Sequence, residues 1–216
     1  MSAGRETRRI EVPRTARYHV LGGGGATLRE AWFVLHGYGQ LAAPFLTSFE
    51  PLASSERRLV APEALSRFYL KRGTGEIGAS WMTREAREDD IADLVRYLDL
   101  LAERELAGRA VAVHALGFSQ GAPAAARWAV LGKTRVARVT LWSGTFPPDI
   151  DLERHAERLR SIRWTFVHGK RDEAVDGAVV ERDVERLRAR GLAVDLVWFD
   201  GGHELDRPAL EGLRQE

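Results

Sequence analysis

Along this chain the spacing of hydrophobic positions shifts repeatedly between a period of two and a period near 3.6, so strand-like and helix-like segments alternate. Tyr18 to Leu21 and Ala31 to Leu35 read as strands, and the glycine run Gly22 to Gly25 between them predicts a hairpin connection. Arg58 to Ala61 is a third short strand, closed by Pro62. Ile91, Leu94, Leu98 and Leu101 recur at helical spacing and predict an amphipathic helix over Asp89 to Glu105. The pattern then gives a strand over Ala110 to Ala115, a helix over Ala122 to Leu131, a strand over Arg138 to Trp142 and a helix over Leu152 to Leu159. It continues with a strand over Trp164 to Val167, a helix over Ala178 to Arg190 stopped by Gly191, a strand over Leu192 to Phe199 and a short helix over Pro208 to Arg214. This succession predicts a single α/β domain over residues 1–216, with a mostly parallel central sheet flanked by helices. The polar residues 1–17 are expected to form a flexible N-terminal segment.

Composition narrows the function classes. The 216 residues carry 32 basic and 31 acidic side chains, a net charge of +1 without blocks of like charge, so nothing recruits nucleic acid or an anionic membrane surface. The chain has no cysteine, which excludes disulfides, thiolate metal sites and a cysteine nucleophile. The N-terminal stretch lacks a signal-peptide core, and no run reaches the roughly 18 to 20 apolar residues that span a bilayer, so a cytoplasmic location is expected. The glycine run Gly22 to Gly25 lacks the following helix, Lys and Ser/Thr of a phosphate-binding loop.

Chemistry enters with Gly117-Phe118-Ser119-Gln120-Gly121, a G-x-S-x-G pentapeptide set between a predicted strand and a predicted helix. Small residues on both sides allow the sharp turn that exposes a nucleophilic hydroxyl. A serine needs a base, and the base an acid that fixes its tautomer. On such a strand–turn–helix elbow the partners follow in the order acid, then histidine. Asp172 leaves the end of the strand before it, and His203 follows Asp200-Gly201-Gly202 after the last strand. Asp176 and Asp200 compete as the acid, although Asp176 is placed to start a helix and Asp200 to shape a turn. His168 competes as the base or holds the acid's loop, while His19, His114 and His155 lie within predicted strands or a charged helix and read as structural or solvated. Loops at the carboxyl ends of parallel strands converge on one sheet edge. A fourth such loop, Leu35-His36-Gly37-Tyr38-Gly39-Gln40, offers the Tyr38 amide, and the residue after the serine offers the Gln120 amide, as donors to an oxyanion.

With these motifs the chain resembles the α/β-hydrolase superfamily, and within it the carboxylesterase/phospholipase group that includes the acyl-protein thioesterases. Gly-Phe-Ser-Gln-Gly is more specific than a general G-x-S-x-G, and Ser80-Trp81-Met82 is similar to the Ser-Trp-Phe of that group. The resemblance spans about Ala31 to Glu204 and implies Ser119, Asp172 and His203 as a catalytic triad, with the Tyr38 and Gln120 amides as the oxyanion hole. Gln40, Ala122, Pro123, Ala174-Val175-Asp176 and the segment Glu63 to Gly78 depart from the group's pattern, and several of these fall where substrate would bind.

Between Trp142 and Trp164 there is room for about one helix, so no large lid domain is expected. Phe45, Phe68, Tyr69, Trp81, Met82 and Phe146 fall in predicted loops near the same edge and are candidates for an apolar acyl or aryl pocket. The expected activity is hydrolysis of short- to medium-chain acyl or aryl carboxylic esters through an acyl-enzyme, without metal or cofactor. A thioesterase or lysophospholipase, a serine peptidase of the same fold and an inactive hydrolase-fold binding protein stand as alternatives. The expected partner is a small ester or thioester molecule, and a homodimer is left open.

Overall fold

The structure, a computed structural model, describes residues 6–213; Met1 to Arg5 and Arg214, the expected end of the last helix, lie outside the described residues. Seven strands form the main sheet: β1 (Tyr18–Gly22), β2 (Glu30–Leu35), β3 (Arg57–Pro62), β6 (Ala112–Phe118), β7 (Arg138–Trp142), β8 (Arg163–Gly169) and β9 (Val194–Phe199). Their order is β1-β3-β2-β6-β7-β8-β9, with β1 antiparallel to β3 and every other pairing parallel. The helices are α1 (Ala42–Thr47), α2 (Arg87–Leu106), α3 (Gly121–Leu131), α4 (Ala156–Arg160), α5 (Gly177–Arg188) and α6 (Arg207–Gly212). A separate antiparallel hairpin pairs β4 (Ser66–Tyr69) with β5 (Ile77–Ser80).

The central strands β2 and β7 are almost wholly buried, as expected of parallel strands covered on both faces. Alternate side chains serve opposite cores. Phe33 and Leu35 pack with Leu94, Leu98, Trp128 and Trp164 beneath α2, α3 and α5, while Trp32 and Val34 pack with Phe45, Phe49 and Leu210 beneath α1 and α6. Helix α3 is nearly apolar all round and correspondingly buried, whereas α2 buries one stripe, Ile91, Leu94, Leu98 and Leu101. Residues 6–17 carry no helix or strand and lie against the domain through Arg9 to Asp89 (2.6 Å), Glu11 to Arg96 (3.1 Å) and Arg17 to Glu63 (2.5 Å).

Three expectations need correction. Strands β1 and β2 do not form a hairpin, because β3 lies between them. The apolar β2 takes parallel partners on both edges, and the glycine run crosses the end of β3, where the Gly23 amide donates to the Ser54 carbonyl (2.8 Å) and a Cβ would collide with the Ser55 carbonyl. The strand expected at Ala110 to Ala115 instead runs from Ala112 to Phe118, directly into Ser119. Glycine permits this continuation: a Cβ on Gly117 would meet the Gly121 carbonyl, and one on Gly121 the Leu35 carbonyl. The helix expected from Leu152 shortens to Ala156–Arg160, with residues 152–155 in turns. Between β7 and β8 the only helix is this short α4, so no large lid is inserted there.

Candidate active site

Four loops leave the carboxyl ends of β2, β6, β8 and β9, and because those strands are parallel the loops share one edge of the sheet. Ser119 sits between β6 and α3 with φ at +53°, a left-handed conformation that costs a non-glycine residue about 1 to 2 kcal/mol. Its amide donates to the Trp142 carbonyl at the end of β7 (2.9 Å), and its carbonyl accepts from the Ala122 amide in the first turn of α3 (3.0 Å). The turn is thus held from both sides.

His203 Nε2 lies 2.9 Å from Ser119 Oγ, and His203 Nδ1 lies 2.8 Å from Asp172 Oδ2. The Asp172 side chain is fully buried, and its Oδ1 accepts from the Ala174 (2.9 Å) and Val175 (3.0 Å) amides. Burial alone would raise its pKa, but hydrogen bonds from Val175, His203 and Ala174, with the Ser143 hydroxyl nearby, outweigh that and bring it below the ordinary carboxylate value. An ionised Asp172 is an acceptor, so Nδ1 of His203 carries hydrogen and Nε2 is left to accept from the serine hydroxyl. The imidazole is partly solvent-exposed and lies against the Phe118 ring (centroids 5.0 Å apart).

The competing residues occupy other positions. Asp176 caps α5 by accepting from the Ala178 amide (2.9 Å), and Asp200 is an exposed partner of Arg171. His168 is buried beneath the acid's loop, donates from Nε2 to the Val175 carbonyl (3.0 Å) and leaves Nδ1 3.9 Å from Asp172. Ser143, directly after β7, is a residue that the sequence does not single out. It is fully buried with φ at +45°, and its hydroxyl lies outside hydrogen-bonding geometry yet near enough to Asp172 to help depress its pKa. No local motif marks it.

The loop after β2 is held by its own histidine. His36 is buried, donates from Nδ1 to the Gly37 carbonyl (2.7 Å) and accepts at Nε2 from the Ala64 amide (3.1 Å); burial lowers its pKa, which keeps it neutral. Gln40, a departure from the resembled pattern, accepts the Gly37 amide on its side chain (2.7 Å). Gly39, at φ +74°, donates to the Ala79 carbonyl (2.9 Å). The Tyr38 and Gln120 amides have no acceptor among the described residues.

A cleft of about 540 Å³ adjoins His203 and is lined by Gly39, Leu41, Pro44, Phe45, Ile77, Phe118 and Leu205 among others. Of the six pocket candidates only Phe45 lines it, from helix α1 rather than from a loop. Phe68 and Tyr69 lie on the β4–β5 hairpin, where the Phe68 ring packs at a tilt against Tyr38 (centroids 5.1 Å apart) and Tyr69 is exposed beside Arg72 and Gly73. Trp81 is buried, and its indole N–H donates to the His36 carbonyl (2.7 Å). Met82 packs against the Arg127 guanidinium (3.3 Å), which itself pairs with Asp149. Phe146 is buried against Trp164 (5.4 Å) in the opposite core. Among the described residues no cluster of His, Asp or Glu could hold a metal ion, and no helix is long and apolar enough to cross a membrane.

Residues 28–215 match the family model described as phospholipase/carboxylesterase. No curated protein matches the chain. Among solved structures it is similar to acyl-protein thioesterase 2 of Zea mays, 21% identical over 93% of this chain and 97% of that one, with a TM-score of 0.77. It is also similar to esterase PE8 (20% identical, 94% and 97% covered, TM-score 0.72) and to the carboxylesterase of Bacillus cereus (18% identical, 93% and 92% covered, TM-score 0.70). These likenesses establish a shared fold.

Proposed function

The chain belongs to the phospholipase/carboxylesterase family of α/β-hydrolases, and from that premise we propose that it is a serine hydrolase cleaving short- to medium-chain acyl or aryl carboxylic esters. The observation that carries this reading is the unbroken relay from Ser119 Oγ through His203 to a buried carboxylate, at 2.9 and 2.8 Å. In the first half-reaction Ser119 Oγ attacks the ester carbonyl carbon while its proton passes to His203 Nε2. Asp172 holds the Nδ1–H and stabilises the imidazolium that forms. The carbonyl oxygen becomes an oxyanion that accepts from the Tyr38 and Gln120 amides, whose freedom from other acceptors supports this role. Collapse breaks the bond to the leaving oxygen, which takes the proton from His203, and leaves the acyl group on Ser119. Water then adds to that acyl carbon, giving its proton to His203, and collapse releases the acid and restores the serine.

The cleft beside His203 supports an apolar acyl or aryl group lying against Phe45, Phe118 and Leu205. The test is a p-nitrophenyl ester series of increasing chain length, run beside a thioester and an amide, on the wild-type protein and Ser119→Ala. Ester turnover that disappears in Ser119→Ala, with a fluorophosphonate probe labelling Ser119, is the expected result. Unchanged turnover in Ser119→Ala would sink the serine mechanism. A clear thioester or amide preference would move the activity to thioesterase or peptidase, and a folded wild type that neither turns over nor labels would be an inactive binder.

A further inference from the structure

The two amides assigned to the oxyanion belong to segments far apart in sequence, one after β2 and one before α3; β2 and β6 pair directly as far as Leu35 and Gly117, and past those strand ends a second tie joins the two turns. One residue touches both. The main-chain N–H of Trp81 donates to Gln120 Oε1 (3.0 Å), and its indole N–H donates to the carbonyl of His36 (2.7 Å), the residue that begins the Gly37-Tyr38 turn. Its neighbours complete the bridge. The Gln120 amide group donates to the Met82 carbonyl (2.9 Å) and to Ser80 Oγ (3.1 Å), and the Ala79 carbonyl accepts from the Gly39 amide (2.9 Å) while the Ala79 amide donates to the Gln40 carbonyl (3.1 Å). Trp81 is buried and its ring lies 5.0 Å from that of His36, so the side chain has little freedom to give way.

We infer that Trp81 is a positioning residue that sets the separation of the Tyr38 and Gln120 amides, an inference that rests on the oxyanion roles proposed above. Donors to a developing charge act best when already in place, because no reorganisation is then needed as the charge forms. Such donors must be held to about 0.5 Å, and a displacement of about 1 Å is enough to cost on the order of 100-fold in rate. A bridge through one buried side chain supplies that rigidity where the loop glycines do not. The residue therefore acts on the transition state and leaves ground-state binding alone.

The experiment compares the full chain with Trp81→Phe, which keeps an aromatic ring and deletes the indole N–H, and with Gln120→Met, which deletes the side-chain acceptor on the other side of the bridge. Three quantities are read for each: kcat and KM on a p-nitrophenyl ester, the inhibition constant of an alkylboronic acid whose boron bonds Ser119 Oγ as a tetrahedral adduct, and the melting temperature. Trp81→Phe is expected to lower kcat by about tenfold with KM unchanged within about twofold, and to weaken the boronic acid by the same factor. Gln120→Met should do likewise, and the double variant should be no worse than about the poorer single one, since the two bonds act in series.

A folded Trp81→Phe with wild-type kcat and boronic acid affinity overturns the inference, as does a loss confined to KM or to melting temperature. Should Trp81→Phe fail to fold, Gln120→Met decides alone, and wild-type kcat there overturns the bridge. Ser119→Ala run in parallel separates the two levels. Activity surviving in it defeats the serine mechanism and the bridge together, whereas an inactive Ser119→Ala beside an unaffected Trp81→Phe defeats only the bridge.

Discussion

The two edges of the parallel sheet each hold a histidine near a carboxylate, and they put the pair to different ends. At the carboxyl edge His203 sits on a loop, with Nδ1 2.8 Å from Asp172 and Nε2 2.9 Å from a hydroxyl. At the amino edge His114 sits inside β6, stacked on Trp32 (5.0 Å), with Nε2 3.8 Å from Glu30 and Nδ1 without a partner among the described residues. Glu30 is already engaged by Arg57 (2.6 Å) and by the Trp32 indole (2.8 Å). The strand fixes where the His114 side chain points, so it cannot turn to face the carboxylate, whereas loops at strand ends can bring partners from β6, β8 and β9 into line. A histidine and a carboxylate within 4 Å do not make a proton relay; direction and free valences do.

The largest effects fall at the carboxyl edge. Ser119→Ala is expected to lower kcat/KM by on the order of 10⁴- to 10⁶-fold, with the fold intact by circular dichroism. Asp172→Asn should cost about 10⁴-fold in kcat. An asparagine amide donating to His203 Nδ1 would drive the proton onto Nε2, which then could not accept from Ser119. If Asp172→Asn retains most of its activity, the buried carboxylate is a loop anchor and the contrast between the two edges weakens.

The contrast also explains what was legible in the sequence. Ser119, Asp172 and His203 could be picked out because each follows a recognisable strand and lies beside glycines or a turn, and the structure brings them within hydrogen-bonding distance. The sequence places Trp81 among the pocket candidates because neither the His36 carbonyl nor the Gln120 side chain that it binds leaves any local mark. Phe68 and Tyr69 read as loop residues near the cleft because Ser66 to Ser80 gives no clear alternation; the hairpin that forms there carries them to its own surface. Helix α1 is only six residues with Pro44 in its first turns, too short for a periodic signal. The glycine run suggested a hairpin because chain adjacency is the usual guide to strand pairing, and β3 overrode it by inserting between β1 and β2.

A smaller effect is expected at the amino edge, and it is one of stability. Burial pushes the His114 pKa from its ordinary value of 6.5 down to about 4, with Glu30 opposing and Arg138 and Arg57 adding to the shift. Because the folded state binds the proton less readily than the unfolded one, protonation favours unfolding between pH 6.5 and 4. His114 should therefore make stability fall as pH drops through that window, by about 3 kcal/mol at its foot. His114→Phe keeps the stacking on Trp32 and removes the titration. Urea unfolding of both proteins at pH 7 and pH 4.5 should show the gap in stability between them changing in favour of the variant at low pH. Parallel pH profiles would mean that His114 titrates alike in the folded and unfolded chain, and a gap moving toward the wild type at low pH would mean a working ion pair with Glu30.

The smallest effect returns to the carboxyl edge and tests whether its geometry carries a cost. Ser119 is held at φ +53°, where a Cβ crowds the backbone and glycine does not. Ser119→Gly and Ser119→Ala both delete the hydroxyl, so both should be inactive, and they differ chiefly in that Cβ. The glycine variant gains by losing the strain but gives up some of this through the greater freedom of its unfolded chain. A net advantage of about 1 kcal/mol for Ser119→Gly over Ser119→Ala is expected, read as a higher urea midpoint at equal slope. Equal midpoints would mean that the Ser119 turn carries no net strain and that its hydrogen bonds to Trp142 and Ala122 hold the nucleophile in place without cost. A clear gap would tie stability and activity together at this one residue, because the turn that exposes the hydroxyl is strained only while a side chain with a Cβ occupies it.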